Sequence, residues 1–88
     1  MKTFPEIIVY TGDNCAWCDR AKNYLAERSV PYTERNIEYD EDEQRKVQAL
    51  SGQRHVPVIT VGSEVVVGFQ RRELAQILDG LLGISDDS

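Results

Sequence analysis

After its first residue, the run EIIVY at Glu6 to Tyr10 is apolar at every position, where a strand with one wet face would alternate. Such a run is a strand buried on both faces. It should be a central strand, in a sheet covered on each side, within a chain of 88 residues. That length sets one domain with a modest buried fraction.

From Cys15 the apolar spacing changes. Trp17, Ala21, Tyr24 and Leu25 recur at i, i+4, i+7 and i+8, which predicts a helix with those four on its covered face. It ends near Arg28, before SVPY, because Pro31 cannot continue it. YTERNI reads as a short, polar edge strand. DEDEQRKVQAL carries acids in its first turn and bases later, as the helix dipole favours, with Val47 and Leu50 as a thin apolar stripe. This second helix should pack weakly. VITV and EVVVG flank Gly62-Ser63, the pattern of a type II′ hairpin between antiparallel strands. Leu74, Ile77, Leu78, Leu81 and Leu82 then mark the strongest helix, with Gly83 as its C-cap.

The order β-α-β-α-β-β-α is that of an α/β protein, and a right-handed crossover makes its first two strands parallel neighbours. A four-stranded mixed sheet flanked by three helices satisfies every apolar stripe. The domain is expected over residues 1–83, with the acidic tail at 84–88 frayed.

Fifteen acidic against ten basic side chains give a net charge of −5, which opposes a phosphate backbone, so nucleic acid is not an expected partner. The longest apolar runs, IIVY and the three valines Val65 to Val67, fall far short of the roughly 20 residues needed to cross a bilayer. The N-terminus lacks the basic and apolar regions of a secretory signal. A cytoplasmic monomer is the expectation.

Both cysteines lie in TGDNCAWCDRAK, at Cys15 and Cys18. In a reducing compartment a purely structural disulfide has little purpose, and a bridge closing so short a loop contributes only ~2 kcal/mol in the chain-entropy model. At i and i+3 on a helix the two sulfurs share a face and can join without much backbone movement. Cys15 sits where the strand gives way to the helix, facing the unpaired N–H groups and the positive dipole end, which favours thiolate over thiol. Cys18 lies inside the helix, on its buried side, and lacks most of that help. The division that follows is attack by Cys15 and resolution by Cys18. A zinc site usually takes four ligands, and the chain offers one pair and one histidine, His55, so no metal site is expected. A Cys-His hydrolase would leave the second cysteine unexplained.

A C-x-x-C after a central strand within a βαβ unit is the mark of thioredoxin-like redox chemistry. With VYT before it, CAWCDRAK itself, HVPVI around Pro57 and VVVGF before the last helix, the chain resembles the glutaredoxins and the glutaredoxin-like NrdH-redoxins, of thioredoxin-like fold. The resemblance covers Ile7 to Leu82. It implies a thiol-disulfide oxidoreductase with no tightly bound cofactor, drawing reducing equivalents from NADPH through thioredoxin reductase or from glutathione. Disulfide-containing proteins would be its substrates, ribonucleotide reductase among them. It also implies that Pro57 is cis and that the backbone of Val56 pairs with substrate as an added strand, with Trp17, Gly68 and Phe69 completing the substrate groove. A different class within the resemblance is a dimer holding an iron–sulfur cluster.

Two departures bear on the reductant. Glutaredoxins commonly carry a lysine three residues before the first cysteine, where it meets a carboxylate of glutathione; this chain has Gly12. Phe69 stands where glutaredoxins have the second of two glycines, and Gly68-Phe69 is closer to the NrdH type. Asp13 and Asp19 flank the dithiol, either opposing thiolate formation or favouring the helix dipole. Arg71 and Arg72 at a helix start point to an anionic partner or are simply solvated. Trp17 either covers the dithiol or packs on the core, and His55 reads as a surface or strand-edge residue.

Overall fold

The computed structural model describes residues 5–82, with side chains through residue 80. Its elements are β1 (Ile7–Thr11), α1 (Ala16–Glu27), β2 (Thr33–Asn36), α2 (Glu41–Ser51), β3 (Val58–Val61), β4 (Glu64–Val67) and α3 (Arg71–Leu82). The sheet order is β2-β1-β3-β4, with β2 parallel to β1 and the other two pairings antiparallel.

Because successive strand residues face opposite ways, β1 divides the interior in two. Ile7 and Val9 meet Ile59, Val61 and Val66 on one face, under Ala21, Tyr24 and Leu25 of α1 and Leu74 and Leu78 of α3. Tyr10 and Val58 face the other side, where Val47 of α2 and Ile37 close a smaller core. Helices on both faces are what the continuous apolar run of β1 requires.

The elements match the expected order, and their edges differ in instructive ways. β1 begins after Glu6 and takes in Thr11, whose hydroxyl is satisfied by Glu34 Oε2 at 2.8 Å, so a buried polar residue closes the strand. The covered face of α1 is Cys18, Ala21, Tyr24 and Leu25; Trp17 is 56% exposed and does not belong to it. The i, i+4 spacing placed Trp17 on the covered stripe, whereas in the first turn it is Cys18, expected on the buried side, that faces inward. In α2 Val47 is fully buried but Leu50 is exposed, so the stripe is one residue wide. Asp40 is the N-cap of α2, accepting from Glu43 N–H at 3.1 Å. The basic residues of this helix sit mid-helix instead of in its last turn, where Arg45 pairs with Glu41 and Asp42 and Lys46 with Glu43.

Gly62 has φ +60°, as the first turn residue of a type II′ hairpin requires, and its N–H bonds Glu6 C=O at 2.9 Å. α1 ends in a left-handed Ser29, φ +58°, with Ser29 N–H bonded to Ala26 C=O and Val30 N–H to Leu25 C=O, both at 3.0 Å. That is a Schellman motif with serine where glycine is commonest. Leu81 and Leu82 close α3 as expected, but their packing, the Gly83 cap and the tail at 84–88 lie outside the described residues. No described helix is long and apolar enough to cross a membrane.

Candidate active site

The loop from β1 to α1 sets the position of Cys15. Gly12, Asp13 and Asn14 turn the chain, with Asn14 in the left-handed region at φ +53°, which asparagine tolerates. Cys15 is the N-cap of α1, with extended backbone, and its Sγ accepts the Cys18 N–H at 3.1 Å. The two cysteines are joined as a disulfide with Cα atoms 5.2 Å apart. Cys15 is partly accessible, whereas Cys18 is 1% exposed. A sulfur that accepts a main-chain N–H at the positive end of a helix is held in a setting that favours its anion over the thiol.

Around this loop lies a clamp that the chain pattern did not reveal. The Asp13 carboxylate accepts from Asn36 Nδ2 at 3.0 Å and from the Tyr39 hydroxyl at 2.9 Å, and the Asp13 N–H donates to Glu38 Oε1 at 3.0 Å. Asn36 also accepts from Glu38 N–H at 2.8 Å, an Asx turn. The signal available in sequence was the asparagine at the end of β2, two residues before Glu38. Donating to a carboxylate, foremost through this hydrogen bond, holds the Tyr39 phenol above its ordinary range. Asp13 is thus matched by two donors and Asp19 by Lys22 Nζ at 3.5 Å. Lys22 also donates to Glu34 at 3.1 Å, tying α1 to β2. The Thr11 hydroxyl first, then Lys22, holds the Glu34 carboxyl below the usual carboxylate range, and the bond to Glu34 raises Lys22.

The Val56–Pro57 peptide is cis, as the resemblance implied. Pro57 is buried and its C=O accepts the Gly68 N–H at 2.8 Å, which fixes the start of β3 against the end of β4. Val56 makes no main-chain hydrogen bond among the described residues. The structure brings together all five expected groove residues: Trp17, Val56, Pro57, Gly68 and Phe69, with Gln70, line one cavity of about 260 Å³. Gly68 has φ +78°, a conformation that favours glycine, and so lets the chain turn from β4 toward α3. His55 is exposed and stays outside this constellation.

Comparison with known proteins agrees with this geometry. The glutaredoxin family model matches residues 7–66. A glutaredoxin-like 8.6 kDa protein of Clostridium pasteurianum is 30% identical over 73 residues, covering 83% of this chain and 97% of that one. The glutaredoxin-like protein NrdH of Lactococcus lactis subsp. cremoris is 34% identical over 71 residues, covering 81% and 97%. The crystal structure of a glutaredoxin from Archaeoglobus fulgidus superposes with a TM-score of 0.74 at 26% identity, over 89% of this chain and 86% of that one. With its thioredoxin-like fold and its disulfide-forming cysteine pair, the chain belongs to the glutaredoxin family of thiol-disulfide oxidoreductases.

Proposed function

We propose that the protein reduces protein or mixed disulfides, with Cys15 as nucleophile and Cys18 as resolving thiol. The observation that carries this is the asymmetry of the pair: an accessible sulfur at a helix start accepting the N–H of a cysteine that is itself buried. In the reduced protein the Cys15 thiolate attacks one sulfur of the substrate disulfide, and the other sulfur leaves as a thiolate that takes a proton from water. Cys18, deprotonated, then attacks Cys15 Sγ, and the second substrate sulfur leaves. Two electrons pass to the substrate, which becomes two thiols, while the protein becomes the disulfide. Substrate lies in the groove of Trp17, Val56, Pro57, Gly68 and Phe69, where the unbonded main chain of Val56 can pair with an extended segment whatever its side chains.

Thioredoxin reductase is the reductant this reading favours over glutathione. Where the resemblance would place a lysine for the glutathione carboxylate, Gly12 leaves room for the Glu38 carboxylate, an anion in place of a cation. Likeness to the Lactococcus NrdH favours the NrdH type; on this reading the protein is a cytoplasmic monomer of one domain that can serve as electron donor to ribonucleotide reductase. NADPH oxidation with hydroxyethyl disulfide as acceptor, run with thioredoxin reductase or with glutathione and its reductase, tests the assignment. Faster turnover is expected with thioredoxin reductase. Cys15→Ser should abolish turnover in both systems, and a fully active variant refutes its role. Cys18→Ser should trap partners as stable mixed disulfides; failure to trap any removes Cys18 as the resolving thiol.

A further inference from the structure

A second cavity of about 290 Å³, sharing Phe69 with the substrate groove, is lined by Arg20, Asn23, Tyr24, Glu27, Phe69 and Arg71. Two guanidinium groups flank it, one from each helix of the larger core. Arg20 stacks over the Trp17 ring at 4.8 Å and Arg71 over the Tyr24 ring at 5.5 Å. Stacking on a ring fixes a guanidinium in place while leaving its N–H donors free. Neither arginine makes an ion pair among the described residues, whereas Arg28, on the same Tyr24 ring, is held by Asp79 at 2.6 Å. Glu27 is the single acid in the lining, so the pocket carries an excess of positive charge on a protein of net charge −5.

We infer that this cavity is a specificity subsite for an acidic side chain of the polypeptide whose disulfide is reduced, an inference that rests on the function proposed above. The spacing suits an extended polypeptide. At 1.5 Å per residue Arg20 lies about 8 Å and Asn23 about 12 Å from Cys15 along the helix, a range that the third or fourth residue of an extended strand covers. An aspartate or glutamate three or four positions from the reacting cysteine, on the side running toward Phe69, enters the cavity that the two guanidinium groups flank.

Three synthetic peptides test this, each holding one mixed disulfide and differing only at the third and fourth residues from it: Glu-Glu, Gln-Gln or Lys-Lys. Pre-reduced protein is mixed with each, and single-turnover rates are compared as ratios within one protein. Wild type should react with the Glu-Glu peptide about five- to tenfold faster than with Gln-Gln, and slowest with Lys-Lys, the preference shrinking at high salt. In Arg20→Gln/Arg71→Gln the ratio of Glu-Glu to Gln-Gln should fall to about one, and in Glu27→Gln it should rise above wild type. Equal wild-type rates with all three peptides, or a preference that survives in the double variant, overturns the subsite alone. Failure of the reduced wild-type protein to react with any of the peptides or with hydroxyethyl disulfide overturns the proposed function as well.

Discussion

Gly12 stands three residues before Cys15, and a Cβ added there would lie 2.9 Å from Glu38 Oε1 and 3.3 Å from Val56 Cγ2. In Gly12→Ala the Glu38 carboxylate must therefore swing away, breaking its 3.0 Å bond from the Asp13 N–H. That bond is charge-assisted but exposed, so its loss costs about 1 kcal/mol. The Val56 contact adds a few tenths at most, since a methyl can give by that distance. Gly12 has no positive φ, so alanine also narrows the unfolded ensemble and stabilises by about 0.4–1 kcal/mol. In wild type the terms nearly cancel, with a net loss of about 0–1 kcal/mol. The decisive quantity is the coupling: in a Glu38→Ala background nothing obstructs the methyl except Val56, and the same substitution should become neutral or stabilising. Urea unfolding of the four proteins of the cycle should give a coupling of about 1 kcal/mol. An equal effect of Gly12→Ala in both backgrounds refutes the clamp as the reason glycine is needed here.

Val47→Ala, which empties the one fully buried position of α2, should cost about 2 kcal/mol in chemical denaturation, while Leu50→Ala on the exposed side should stay within about 0.5 kcal/mol. Ser29→Gly relieves a left-handed serine in the α1 cap and should stabilise by about 0.5–1 kcal/mol, read as a raised urea midpoint. Glu34→Gln keeps an acceptor for Thr11 but removes the charge. Because folding lowers the Glu34 carboxyl from its ordinary 4.5, its stabilisation is present above that value and is lost as pH falls through the folded range. With this side chain 39% exposed, the gap between wild type and variant should be only about 0.5–1 kcal/mol at neutral pH. It should vanish in acid; a gap that persists at low pH contradicts the charge contribution.

The parts of the fold that periodicity controls were legible in the chain. The continuous apolar run of β1, the Gly62-Ser63 hairpin and the leucine spacing of α3 each have one satisfactory burial. Leu50 was misplaced, and Trp17 was left between the covered stripe and a half-exposed position, for a common reason: near a helix end, or on a helix with a single buried residue, spacing alone does not say where the covered stripe begins. At the candidate site, the pairing of Cys15 with Cys18 was legible from their separation and the strand before them, and the set of residues lining one cavity from resemblance. The clamp of Asp13, Asn36, Glu38 and Tyr39 and the pairing of Glu34 with Thr11 were not, because side chains 23 to 26 positions apart meet only once β2 lies beside β1.

Tyr24 is buried, yet its ring lies 5.8 Å from Phe69 and carries Arg71 on its way to the rim. The outline that a visiting chain encounters is therefore inherited from the interior. A change at this one hidden ring would disturb the rim and the larger core together, so a variant there reads on stability as well as on the shape of the cavity.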